Sequence, residues 1–433
     1  MCVTRGLGTY NWLGAYRERK KMNIDQFLAS FQRFGVNLGL TRIEKLLTQL
    51  GNPENNVPLI HVAGTNGKGS VCAYLSSVLT TAGYKVGRYT SPHLVTWTER
   101  ICLNESPISE ADLLAVLESV KAAIGEEDHP TLFEVVTAAA WLYFAQQKVD
   151  VAVMEVGLGG RLDATNVKEE VIASIITPIS HEHWQVLGDT IGKIATEKAG
   201  VLKRNCPALI APQETEAVNV IQEKAEQLNC PTTWVQPATP VSEKFDRATY
   251  QGLTYPLPLS GTVQLTNSAV AVATLQYLQR QGWNIADTAI EEGMQKTRWL
   301  GRLQWVTWRH RALLLDGAHN PAAAQGLRDY VDRLPQPVTW IMGILATKEQ
   351  EKILKILLRP NDTLYTVPVP DHQTTPPEDL CQMQQTVEQC FPCSDLETAL
   401  EKVATRPEAP TTILCGSLYL VGYFLGTIPH KSG

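Results

Sequence analysis

The segment His61-Val-Ala-Gly-Thr-Asn-Gly-Lys-Gly-Ser70 constrains the fold of this chain more than any other. Before it, the short apolar run at residues 57–62, with Pro58 near its start, predicts a buried strand. After it, Val71, Tyr74, Leu75, Val78 and Leu79 recur at helical spacing. Strand, glycine turn and helix in that order place bare backbone N–H groups at a helix N-terminus, where phosphates bind. Gly67, Lys68, Gly69 and Ser70 then suit a triphosphate, with the lysine neutralising charge and the serine hydroxyl available to a magnesium ion. The spacing departs from the usual G-x4-G-K-[ST], because Gly69 separates Lys68 from Ser70 and Gly64 lies three residues before Gly67. That departure narrows the set of phosphate-binding proteins to consider.

The 433 residues are enough for two or three domains with sizeable cores. A formal charge of −6 argues against a broad nucleic-acid surface but not against a small anionic substrate. No apolar run reaches the roughly 18 residues of a membrane helix, and the first 21 residues lack the apolar stretch of a secretory signal. The expected setting is the cytoplasm. Nine cysteines, scattered and odd in number, fit reduced thiols there better than a disulfide framework, and Cys390-Phe-Pro-Cys393 reads as a chance pair.

Apolar runs alternate with helical patterns almost throughout, which predicts an α/β fold: a P-loop-type domain with a mainly parallel sheet, then a smaller Rossmann-like α/β domain. Strands are expected at 149–156, 171–176 and 208–211, with a helix at 215–228. A proline-rich stretch follows, with a hairpin turn near Tyr250 and Gly252. Helical pattern returns at 266–280 and 285–296, and a boundary is placed near 297–301. A second series follows: a strand at 312–315, a helix opening at Pro321, and strands at 339–342, 363–367 and 412–415. Residues 1–21 read as an extension, with Met22 as an alternative start.

Several polar clusters fall at predicted strand ends, where open α/β sheets hold their ligands. Met154-Glu-Val-Gly-Leu-Gly-Gly-Arg-Leu-Asp-Ala-Thr-Asn166 offers Glu155 as a magnesium ligand and glycines for close backbone approach. In Ser180-His-Glu-His183 both His181 and His183 are possible ligands on spacing alone. Lys198, on a short helix before Gly200, would ordinarily be a solvated surface charge. In the second series, Arg302 sits at the domain junction, Asp316 ends a strand, and His319, Asn320 and Ser417 occupy facing loops.

These motifs, in this order from about residue 24 to 422, resemble the folylpolyglutamate synthase/dihydrofolate synthase family of Mur-ligase-like ATP-dependent amide ligases. The resemblance rests on the 61–70 segment, Thr90-Ser-Pro-His-Leu94, Glu99-Arg-Ile101, Thr131-Leu-Phe-Glu134, Trp299-Leu-Gly-Arg302 and Asp316-Gly-Ala-His-Asn-Pro321. It implies an ATP- and folate-binding domain at 22–298 and a glutamate ligase domain at 299–433. It implies ATP and Mg2+ as cofactors, and small-molecule substrates: dihydropteroate or a reduced folate, L-glutamate and ATP. A monomer that binds neither nucleic acid nor membrane is expected.

Residue by residue, the resemblance assigns Gly67, Lys68, Gly69, Ser70, Asn267, Arg302 and Asp316 to the nucleotide. It assigns Ser91, Glu155 and His183 to the metal, which selects His183 over His181. Phe133, Glu134, Leu162, Asp163 and Ala164 fall in the pterin pocket, and Ser417 near the glutamate. Lys198 matches a lysine carbamylated in the family, and His319 is expected to position or deprotonate the attacking amine. Three positions depart from the family's pattern: Val263 replaces a common histidine, Glu182 a common aspartate, and Thr347 an aspartate before Lys348. A cell-wall Mur ligase and a nucleotide-dependent switch protein are the competing readings. The Thr90–Leu94 and Thr131–Glu134 motifs weigh against the former, and the second-domain residues against the latter.

Overall fold

The computed structural model describes residues 23–32, 37–405 and 411–432. The expected extension and the Met22 start lie outside these residues. An eight-stranded sheet runs in the order Ser106–Pro107, Ile101–Leu103, Val86–Tyr89, Val151–Glu155, Leu59–Ala63, Ala173–Ile176, Ala208–Ile210, Thr232–Trp234. Its last six strands are parallel, and the first two form an antiparallel edge. A seven-stranded sheet is built from the second series: Gln389–Pro392, Thr363–Thr366, Thr339–Met342, Thr412–Cys415, Arg311–Leu315, Gln304–Trp308 and Lys431–Ser432. Its first five strands are parallel. Both sheets therefore need helices on their faces, and the chain alternates accordingly. The expected α/β class holds.

The hairpin expected near Tyr250 and Gly252 is present, Arg247–Tyr250 against Leu253–Pro256, but Thr239–Pro240 joins it to make a third, antiparallel sheet. Most expected strands start or stop within two residues of the observed ones. The helix expected from 266 begins earlier, at Val263. One helix carries no sequence signal of its own. Leu132–Gln147 is buried around most of its circumference, so it lacks an apolar stripe to read. Its start is nevertheless encoded: Thr131 and Glu134 form a capping box, each side chain bonding the other's backbone N–H.

The expectation that all thiols stay reduced is corrected at one pair. Cys381 and Cys390 are bonded, because the Pro377–Met383 helix lies against the Gln389–Pro392 edge strand with Cα atoms 5.7 Å apart. Cys393 is free and packs into the core on the opposite face from Cys390, so the C-x-x-C is indeed no unit.

Two close approaches set how the pieces sit together. The helix Lys68–Thr81 packs on Asp287–Lys296 at Gly293, where a Cβ would overlap the Val78 backbone. The helix Leu418–Thr427 meets the segment after Pro92 at Gly422, where a Cβ would overlap the Leu94 carbonyl. Gly293 also accepts hydrogen bonds from Ser77 and Thr297 through its carbonyl. Gly293→Ala is therefore expected to destabilise the chain by about 1–3 kcal/mol through overpacking, and thermal unfolding should show the melting temperature falling by several degrees.

Candidate active site

The phosphate segment leaves the strand Leu59–Ala63 and ends in the helix Lys68–Thr81, whose N-cap Gly67 has a φ of 90°. Gly64 has a φ of 138°, and a Cβ there would overlap Thr177, while at Gly67 it would overlap Asn267. A side chain is excluded at both positions on two counts, backbone conformation and space. Asn267 in turn donates to Gln264, and Gln264 reaches the Ser70 hydroxyl at 3.4 Å. In the sequence Gln264 figures only beside the departure at Val263; its buried place on the helix facing the loop brings it to the site.

The Lys68 ammonium bonds the Thr65 carbonyl at 3.1 Å and stands 3.8 Å from Glu155. Glu155 ends its strand and accepts the Ser91 backbone N–H at 3.1 Å. Burial pushes the Glu155 carboxyl up against the pull of Lys68. His183 sits at a φ of 52°, and burial among Lys348, Lys198 and Lys68, only partly offset by Glu182, lowers it to about 4. It is thus neutral at pH 7, with a lone pair free to bind a cation. Among the described residues no three His, Cys, Asp or Glu side chains converge as a metal cluster. One carboxylate, one neutral imidazole and serine hydroxyls facing a phosphate cradle suit magnesium, which keeps waters and takes phosphate oxygens rather than filling an all-protein cage. The donors fit the ion.

Lys198 is not a surface lysine. It is buried and donates to the Gly64 carbonyl at 2.6 Å, with Glu182 and Asp163 near enough to favour its charge but in no ion pair with it among the described residues. Burial, with Lys68 nearby, lowers it to about 7. It lies behind the glycine loop and is the one expected site residue that does not line the cleft.

The other expected residues do line one cleft of about 770 Å3. Phe133 covers Gly157, and Leu162 and Ala164 stand beside it. Two carboxylates expected in the pterin pocket are largely consumed by the protein. Glu134 Oε2 accepts from Arg42 and from the Thr131 N–H, while Oε1 lies in an ion pair 3.1 Å from Arg42 with no hydrogen bond of its own. Asp163 accepts the Leu158 and Thr165 N–H groups and the Thr165 hydroxyl, so it shapes the 157–164 turn. That turn rests on a residue the sequence did not single out, His61, whose Nε2 lies 2.8 Å from Thr165 Oγ1. Because the Thr165 proton goes to Asp163, His61 must donate through Nε2.

From the second sheet, Asp316 holds the Leu303 and Ala318 N–H groups beside Arg302, and burial pushes its carboxyl up. Ser417 caps the Leu418–Thr427 helix, accepting from the Tyr419 N–H. Asn320 and Asn66 exchange amide hydrogen bonds across the cleft at 3.3 and 3.1 Å, so the second series touches the phosphate loop itself. His319 Nδ1 is 2.7 Å from the Gly317 carbonyl, and Nε2 is 3.0 Å from Glu182. His319 is thus held from two sides, by the Gly317 carbonyl and by Glu182.

The family model described as "Mur ligase middle domain" matches residues 62–275, and that described as "Dihydrofolate synthetase, C-terminal domain" matches 302–427. The chain is 39% identical over 344 residues to the dihydrofolate synthase/folylpolyglutamate synthase of Bacillus subtilis, covering 75% of this chain and 80% of that one. It belongs to the folylpolyglutamate synthase/dihydrofolate synthase family. Among solved structures, an Escherichia coli relative in complex with DHPP and ADP superposes with a TM-score of 0.81, at 30% identity over 92% of this chain and 95% of that one. The bifunctional family enzyme of Yersinia pestis, with AMPPNP and a Mn ion, gives 0.80 at 29% identity over 92% and 95%. As a family member the chain is an ATP-dependent ligase. No described helix is long and apolar enough to cross a membrane.

His61 is fully buried and lowered to about 3 by its burial and by Lys203. The unfolded chain takes up that proton near pH 6.5 and the folded chain does not, so this residue's contribution to stability is complete above 6.5 and is lost as pH falls toward 3. Melting temperatures from pH 7 to 4 should fall more steeply for the natural chain than for His61→Gln. Equal slopes would remove His61 as a source of acid sensitivity.

Proposed function

We propose that this chain adds L-glutamate to both dihydropteroate and reduced folates, activating the acceptor's carboxylate with ATP. The observation that carries the reading is the joining of two half-sites in one cleft. The phosphate loop with Glu155 and His183 faces Arg302, His319 and Ser417, with the Asn66–Asn320 pair fastening one to the other. Both halves come from one chain, which supports action as a monomer, and the small-molecule substrates support a cytoplasmic setting.

A carboxylate is a poor acyl donor. Attack of its oxygen on the γ-phosphorus of ATP gives an acyl phosphate and ADP. The glutamate amine then attacks the acyl carbon and gives up a proton, to His319 or to the departing phosphate, and phosphate leaves with the electron pair of the broken C–O bond. Lys68, the loop N–H groups and Arg302 neutralise charge on the phosphoryl group as it moves. Ser91, Glu155 and His183 would hold magnesium, which when bound supplies Lewis-acid neutralisation of the phosphate oxygens. Phe133, Leu162 and Ala164 offer the flat apolar surface a pterin ring needs. His319 is proposed to position or deprotonate the attacking amine from the second sheet's side of the cleft.

Lys198 is proposed to carry a carbamate. An amine lowered to about 7 is substantially neutral at physiological pH and can attack CO2, and the new carboxylate would stand near the Lys68 ammonium. Lys198→Ala should lower turnover by about 10–100-fold, the scale of losing a supporting group at a metal site. A short carboxylic acid should restore part of it, and full activity without the acid would sink the idea.

The deciding assay follows glutamate-dependent phosphate release with dihydropteroate and with tetrahydrofolate separately. Release with both is expected. Release with tetrahydrofolate alone would make the chain a monofunctional folylpolyglutamate synthase. ATP binding with no glutamate-dependent release would leave only a nucleotide-binding protein.

A further inference from the structure

Glu182 is used by neither half-site as described, yet it is the most strongly engaged charge between them. Its carboxylate stands on the loop after the strand Ala173–Ile176, next to His183. A single oxygen, Oε1, accepts from His319 Nε2 at 3.0 Å and from Lys348 Nζ at 2.9 Å. Both donors belong to the second sheet's loops. Burial would raise the Glu182 carboxyl, but the hydrogen bond and pull of His319, with the Lys348 ammonium, hold it well below the usual carboxylate range. A second, longer crossing runs beside it, His181 Nδ1 to Glu349 at 3.7 Å.

We propose that Glu182 is a positioning residue that clasps the two halves of the active site, fixing His319 and Lys348 over the metal-side loop that carries His183. Groups paired with a carboxylate away from water stabilise a structure little, because desolvation offsets most of their attraction. They do discriminate sharply among geometries, since an unpaired buried charge is strongly unfavourable. Such a clasp selects one closed arrangement and still releases readily when the halves part and water returns. Its reach is specific: one oxygen touches both donors from the far side of the cleft, and an aspartate at 182 would be one methylene short.

The consequence for glutamate rests on the ligase reading; the closure itself does not. Small-angle scattering of the ligand-free chain should show a larger radius of gyration for Glu182→Gln than for the natural protein, whichever acceptor is used. Calorimetry should find ATP binding within about twofold of the natural chain, since the phosphate loop is untouched. In the amide-forming assay the KM for L-glutamate should rise about tenfold or more, the scale of losing a supporting partner. Glu182→Asp should recover only a minor part of that loss. Lys348→Met combined with Glu182→Gln should lose little more than the worse single variant, because the two report one contact. Natural kinetics in Glu182→Asp would overturn the reach argument. Unchanged scattering together with unchanged KM in Glu182→Gln, or additive losses in the double variant, would overturn the clasp. Should Glu182→Gln fail to fold, Lys348→Met reads the same contact by scattering from the other side. A natural chain that forms no amide bond would defeat the ligase reading and leave the scattering test standing.

Discussion

Three glycines of the phosphate loop are each occupied, where a side chain would be, by a different part of the molecule. Thr177 from the neighbouring strand end fills the space at Gly64, Asn267 that at Gly67, and at Gly69 the Trp299 ring comes within 2.5 Å of where a Cβ would stand. The loop is therefore a junction as well as a cradle. Its bare backbone lets the parallel sheet, the helix Val263–Arg280 and the connection to the second sheet converge on one spot. Lys198 closes the junction from behind by bonding the Gly64 carbonyl. A methyl group at any of these positions would displace at least one of the elements that the nucleotide and the metal are expected to meet.

Charge is handled by the same economy of space. Glu155, Lys198, Asp316 and Glu182 are all withdrawn from water, and each is held differently. Asp316 is satisfied by backbone N–H groups, Glu182 by His319 and Lys348, and Glu155 by a lysine and one N–H. Lys198 alone has only a carbonyl. These differences sort the residues into those that shape the cleft and those left with unsatisfied capacity for a ligand.

The glycine loop, the strand-end position of Glu155 and the second α/β series were legible because each follows from local pattern: turn residues, apolar runs and their spacing. Thr131–Glu134 stood out only through the resemblance; neither its capping box nor the mostly buried helix it opens was read from the pattern. Other features were hidden for physical reasons. Lys198 was picked out by the resemblance alone, since its neighbours in sequence suggest a surface charge and burial depends on what packs over it. His61 was quoted only as the loop's first residue, since its partner Thr165 is remote in the chain and meets it only through sheet pairing. Glu134 and Asp163 showed the right chemistry at the right place, but the sequence could not say that Arg42, Thr131 and Thr165 use most of their oxygens. The Cys381–Cys390 bond was missed because compartment statistics say nothing about two thiols that a helix and an edge strand bring face to face.

The contact of the Leu94 carbonyl with Gly422 has a mechanical meaning. Interlocking side chains resist turning, because each ridge must climb out of its groove before the surfaces can rotate. Here a backbone oxygen rests on a bare stretch of helix, with Val95 beside the equally bare Gly426 one turn further along. The Leu94 side chain, by contrast, packs beside Val421 in the core of the second sheet, so this contact ties a loop of the first sheet into the second rather than leaving a smooth surface between them.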